Sequence, residues 1–146
     1  MKIVIASDIY YPMTNGVAVF AHNLANGLAK AGHEILVLSP SFNGKFHIET
    51  DAESGVRTAF LTSLRFPFYP DQVNKVPEKR DFLGIQMPRL AYRHGIWWSV
   101  NPVYEVKKIL KDFQPDVIHL QTAETIALAV MWYAKKYKVP LVSTGH

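Results

Sequence analysis

Apolar residues along this chain fall into two kinds of run. Lys2 to Ser7 (KIVIAS) and Ile35 to Ser39 are short, continuous and rich in Ile and Val, the pattern of strands buried on both faces. Between them Val17, Phe20, Ala21, Leu24, Leu28 and Ala31 recur at helical spacing, which predicts a helix with that face inward. Gly32 follows where a left-handed helix end is wanted. Strand, crossover helix and strand within about 40 residues make a βαβ unit with parallel strands.

The same pattern closes the chain. Asn101 and Pro102 predict a helix cap and a first-turn proline, followed by a stripe of Val103, Val106, Ile109, Leu110 and Phe113 up to a break at Pro115. Asp116 to Leu120 reads as a strand and Glu124 to Tyr137 as a helix with Ile126, Ala127, Val130, Tyr133, Ala134 and Tyr137 inward. Pro140 to Thr144 reads as a last strand. The expected architecture is α/β, a Rossmann-like, doubly wound parallel sheet. Residues 42 to 99 are less regular. Val56 to Thr62 predicts a strand, and the stretch from about 63 to 99 mixes basic residues, prolines and aromatics without a period, as an inserted surface excursion would.

Composition agrees with a packed domain: 49% of the 146 residues are apolar and 19% charged, too hydrophobic for a disordered chain. The net charge of +4 is unevenly spread. Residues 57 to 111 hold ten basic and four acidic side chains, a net +6 that leaves −2 elsewhere. With no cysteine there is neither a disulfide frame nor a cysteine metal site, which fits a reducing compartment. No metal site is expected. No run reaches the ~18 apolar residues of a membrane span, and the N-terminus lacks signal-peptide character. The expected location is cytoplasmic, with contact to the inner face of a membrane left open.

Ligands of parallel sheets bind beyond the carboxyl ends of the strands, and three polar clusters fall there: Asp8 to Gly16, His119 to Glu124, and Thr144 to His146. At Asn15 and Gly16 the chain turns before a helix whose first turn has no acidic residue, so its amides and dipole suit a phosphate or carboxylate. A plain Asn-Gly turn is the alternative. His119 interrupts an apolar strand near its end, followed by Gln121, Thr122 and Glu124. It reads as a functional histidine or as a hydrogen-bonded core one. Lys79, Arg80, Arg89 and Arg93, with Trp97 and Trp98, read as a membrane-facing patch or as a solvated loop packed on its own aromatics. The glycine fingerprint of dinucleotide enzymes is missing, and the basic residues form no stripe on a recognition helix, which counts against nucleic acid.

Taken together, Y-P-x-x-N-G-V-A from Tyr11, L-A-x-x-L-A-x-x-G-H-E from Leu24, P-D-V-I-H-x-Q-T from Pro115 and V-P-L-V-S-T-x-H from Val139 resemble the N-terminal domain of family 4 glycosyltransferases. These are retaining enzymes with two Rossmann-like domains, the GT-B fold. The likeness runs from residue 1 to residue 146. The Asn15-Gly16-Val17 pattern is closest to enzymes that place a hexose on a membrane lipid, such as diacylglycerol glucosyltransferases and phosphatidylinositol mannosyltransferases. The resemblance implies a nucleotide diphosphate sugar as donor substrate, with no further cofactor, and a lipid or sugar acceptor. It implies His119 as the catalytic residue, and Asn15, Gly16, Val17, Gln121, Thr122 and His146 as substrate-binding, with the Gly16 and Val17 amides facing phosphate. Many relatives carry a second histidine where Gln121 stands. The family's C-terminal donor-binding domain is absent from residues 1–146, so the chain is expected to be the acceptor-side half, with little activity alone. The alternative is a non-catalytic membrane- or partner-binding module.

Overall fold

The computed structural model describes residues 1–11, 13, 16–65, 81–82, 85–86 and 97–145, without the side chains of 81–82 and 85–86. Lys79, Arg80, Arg89, Arg93, Asn15 and His146 lie outside them. In chain order the elements are β1 (Lys2–Ala6), α1 (Gly16–Lys30), β2 (Glu34–Pro40), β3 (His47–Thr50), β4 (Arg57–Leu61) and β5 (Ser63–Arg65). They continue with β6 (Asp81–Phe82), β7 (Ile85–Gln86), β8 (Trp97–Ser99), α2 (Pro102–Phe113), β9 (Val117–Leu120), α3 (Thr125–Tyr137) and β10 (Leu141–Ser143).

Six strands form the central sheet in the order β10-β9-β1-β2-β4-β3. All pairs are parallel except β3 with β4, and β1 sits between β2 and β9, so the winding reverses at β1. The fold is therefore the expected doubly wound α/β sheet, with one antiparallel edge strand. β3 has no counterpart in the sequence pattern, because His47–Thr50 offers one aliphatic residue in four and remains largely exposed. The short pair β5 and β8 joins residues 63–65 to 97–99, the two ends of the irregular stretch.

Each face of the sheet has its own core. On one side Ile3, Ile5, Ile35 and Val37 meet α1; on the other Val4, Ala6, Leu36, Leu38 and Ile118 meet α2 and α3. Alternation along each strand sends successive side chains to opposite layers.

Several helical expectations need correction, among them Ala31 of the α1 stripe, which is exposed. The fully buried residues of α1 are Ala18, Ala21 and Ala25, while Phe20 stays 44% exposed. The alanines are the fully buried part of the contact, and Leu24 and Leu28 pack beside them against the same core, partly buried. Tyr137 is likewise exposed, its ring 4.4 Å from that of Tyr133 and within cation–π range of Lys111 and Lys136. Asn101 precedes Pro102 of α2 without a side-chain cap bond. The helix ends at Gln114, left-handed at φ 53° with its N–H donating to the Leu110 carbonyl, one residue before the proline. Val103 of α2 is exposed, leaving Val106, Leu110 and Phe113 as its buried stripe.

Gly32 does end α1 at φ +94°, with the His33 amide donating to the Leu28 carbonyl. Gly27 is exposed within the helix, and a methyl group on its Cα would meet only open space. Gly27→Ala is therefore expected to stabilise the protein by about 1 kcal/mol. Gly32→Ala is expected to cost about 1 kcal/mol or more, because a Cβ is disfavoured at that backbone angle. Urea midpoints of the two variants check both signs.

Candidate functional site

β1, β9 and β10 all end on the same edge of the sheet, and β1 is where the winding reverses. A crevice at such a switch point is where open α/β sheets hold ligands.

Asp8, just past β1, is 6% exposed and ties the two halves of that edge together. Its Oδ1 accepts from the Ile126 amide at 3.2 Å and from Thr125 Oγ1 at 2.8 Å. Its own amide donates to Thr122 Oγ1 at 2.8 Å, and that hydroxyl donates back to Oδ2 at 3.4 Å. The first turn of α3 has no acidic residue and Glu124 makes no side-chain cap bond, so Asp8 supplies the negative group that the helix start needs. Burial pushes the Asp8 carboxyl above the ordinary carboxylate value, opposed chiefly by the Thr125 hydroxyl and then by the Ile126 amide. Burial, and next the charge of Asp8, push Glu124 up as well.

His119 pairs with Ile5 across β1 and β9, which puts it on the face covered by α1. The Gln121 amide nitrogen lies 2.7 Å from its Nδ1, and Thr144 Oγ1 lies 2.8 Å from its Nε2. With the Gln121 amide nitrogen as donor, Nδ1 accepts, and the neutral ring that fits this assignment carries its proton on Nε2, towards Thr144. Gln121 is itself 2% exposed, a fixed support for the ring.

α1 starts at the same edge and on the same face, with no acidic residue in its first turn. Two helix starts thus meet this edge with different electrostatics: that of α3 holds the Asp8 carboxylate, while Gly16 and Val17 begin α1 without an acidic neighbour in the turn. Among the residues singled out from sequence, Gly16, Val17, His119, Gln121 and Thr122 belong to this edge. Asn15 and His146 lie outside the described residues. Trp97 and Trp98 lie apart on β8, where Trp98 faces Leu64, both exposed. The sequence pattern does not single out Asp8; an aspartate directly after a buried strand is its one visible signal. A cavity of about 620 Å³ opens at the opposite edge, beside Lys2, Glu34 and Arg57, and shares no residue with the cluster.

Residues 14–146 match the family model described as Glycosyltransferase Family 4. The whole chain is 27% identical to an alpha-monoglucosyldiacylglycerol synthase of Streptococcus pneumoniae, spanning 26% of that protein. It is 24% identical to a GDP-mannose-dependent alpha-mannosyltransferase of Mycolicibacterium smegmatis, over 98% of the chain and 32% of the relative. Among solved structures, sucrose-phosphate synthase from Thermosynechococcus elongatus superposes on 99% of the chain and 33% of its own length, with a TM-score of 0.61 at 15% identity. The chain thus spans about a quarter to a third of the relatives it matches, and its sheet is a Rossmann-like GT-B half.

A raised carboxyl means that the native state holds its proton more tightly than the unfolded chain. Stability from this group is therefore full below the ordinary carboxylate value and is lost as pH rises through the raised one. Asp8→Asn keeps an acceptor for the Ile126 amide and removes the titration. Its stability relative to wild type is expected to increase from about pH 3 to about pH 7 in denaturant melts. Asp8→Ala leaves that amide unpaired and is expected to cost about 2 kcal/mol.

Proposed function

The chain belongs to glycosyltransferase family 4, and from that premise we propose that it is the acceptor-side half of a hexosyltransferase. It moves a hexose from a nucleotide diphosphate sugar to an acceptor hydroxyl, with retention at the transferred carbon. One observation carries this reading: the acid-free start of α1 and the fixed His119 ring share one face at the switch-point edge.

In the proposed reaction the bond from the sugar carbon to the diphosphate breaks and a bond to the acceptor oxygen forms. The acceptor's proton leaves with the nucleoside diphosphate. Gly16 and Val17 present amides to the diphosphate as its charge develops, where the helix dipole is most favourable. His119, its proton on Nε2, donates to a sugar or acceptor oxygen in exchange for Thr144, while Gln121 keeps the ring in place. Thr122 acts through Asp8 by holding the β1 end against α3. Asn15 and His146 are assigned to the same substrates on family resemblance.

The relatives' names support the two substrate classes. One specifies GDP-mannose, a nucleotide diphosphate sugar, and another is named for making monoglucosyldiacylglycerol, a sugar joined to a lipid. We take the acceptor to be a membrane lipid, met peripherally from the cytoplasmic side. The exposed Leu64 and Trp98 pair supports that contact. Because the chain matches only part of each relative, full activity is assigned to this half together with a donor-binding domain.

Gly16→Asp separates the helix-start role from mere folding. Gly16 is exposed with open space around it, so the new carboxylate complements the dipole and is expected to add a few tenths of a kcal/mol to stability. The same carboxylate is expected to weaken binding of inorganic pyrophosphate about tenfold or more in isothermal titration. Unchanged binding would overturn the role of α1. With labelled GDP-mannose or UDP-glucose and lipid vesicles, residues 1–146 alone are expected to show background transfer; substantial transfer would overturn the assignment as an incomplete half.

A further inference from the structure

β2 and β4 are parallel neighbours, yet the described connection between them runs through β3 and not through a covering helix. A hollow of about 330 Å³ consequently opens between the flank of α1 and the β3–β4 pair. Its residues are distinct from Asp8, His119, Gln121 and Thr122 at the switch point. Ligand pockets span ~300–1,000 Å³, so this one has room for a single small ring.

Its wall is rigidly made. The Asn26 amide nitrogen donates to His22 Nε2 at 3.0 Å, which leaves the ring proton on Nδ1, 3.5 Å from the Tyr10 hydroxyl. Tyr10 in turn bonds the Thr58 side chain, and burial pushes its phenol up to about 12, so it stays protonated. Tyr11 stacks on His22 with ring centroids 5.4 Å apart and is 56% exposed, placing an aromatic surface at the mouth. Opposite stand Glu49 and Asp51.

Those carboxylates do not make a cation trap. Asp51 Oδ1 takes the amides of Glu53 and Ser54 and the Ser54 hydroxyl, and Glu49 lies 3.3 Å from His47 Nε2. What the hollow presents is two carboxylates, Asp51 with one oxygen already taken by local donors and Glu49 beside His47, next to a planar aromatic. That combination suits a ring whose edge carries hydroxyl donors and whose face is apolar.

We propose that this hollow is a carbohydrate subsite, holding one hexopyranosyl unit of the acceptor against Tyr11 with its hydroxyls on Asn26, Glu49 and Asp51. The assignment rests on the glycosyltransferase reading, and it adds that the acceptor already carries a sugar. An earlier glycosylation must then supply it.

The test is a titration of isotopically labelled residues 1–146 with methyl α-glucopyranoside and methyl α-mannopyranoside, followed by amide NMR shifts. Tetramethylammonium serves as the cation probe and pyrophosphate as the probe of the switch-point crevice. Expected is saturable millimolar binding of a glycoside with shifts at His22, Asn26 and Asp51. Tyr11→Ala is expected to weaken it about tenfold and Tyr11→Phe to retain it. Absence of saturable glycoside shifts, shifts confined to Gln121 and Thr144, or tetramethylammonium binding in their place would overturn the subsite. Pyrophosphate binding without a glycoside response removes the subsite and leaves the transferase reading standing. Glycoside binding without a pyrophosphate response removes the diphosphate role of α1 alone.

Discussion

The carboxylate of Asp8 is the constraint on which the functional edge depends. It sits just past the opening strand but serves the start of a helix 117 positions later, the Thr125 hydroxyl and the Ile126 amide being its partners. An ionised group with 6% exposure is costly unless hydrogen-bonded, and the interior end of α3 is costly unless capped. Each group offsets part of the other's cost, burial still outweighing the hydrogen bonds at the carboxylate. The result is a crevice whose two sides are held by bonds that only the folded chain can make.

The same edge shows how one architecture gives two helix ends different tasks. α3 is closed by a residue of the protein, whereas the α1 turn contains none of the acidic side chains that would compete with an anion. The close approach of α1 through Ala18, Ala21 and Ala25 belongs to this division. The helix packs through these alanines, with Leu24 and Leu28 beside them, on the sheet face that carries the histidine. Larger residues on the opposite face, Leu110, Ile126 and Val130 among them, build the thicker core that supports α2 and α3.

Much of this is legible in the chain. Runs such as KIVIAS and the stripes of α2 and α3 carry strand and helix periods strong enough to give the doubly wound order, and Gly32 announces its own backbone angle. The four short motifs also place His119 and the α1 start at strand ends, as the sheet does. Other features depend on contacts that no local window contains. Asp8 finds its partners over more than a hundred residues, so neither its burial nor its capping role has a local signature. β3 is made by pairing with β4 and not by its own pattern. The stripe read for α1 is right at Ala21, Leu24 and Leu28 and wrong at Phe20 and Ala31, because a periodicity argument extends the face past the residues that actually reach the sheet.

β10 has a consequence for the histidine. All three of its residues are exposed, and it hydrogen-bonds to β9 at the sheet's margin. The Thr144 hydroxyl that receives the His119 proton lies one residue past that strand, whereas Gln121, on the other ring nitrogen, is buried. The imidazole is therefore supported at Nδ1 by a buried side chain and at Nε2 by a residue whose own amide is tied to the Leu120 carbonyl of β9. Its two nitrogens are thus tied to two different strand ends, β9 and β10, so the ring's aim is set by the register between them.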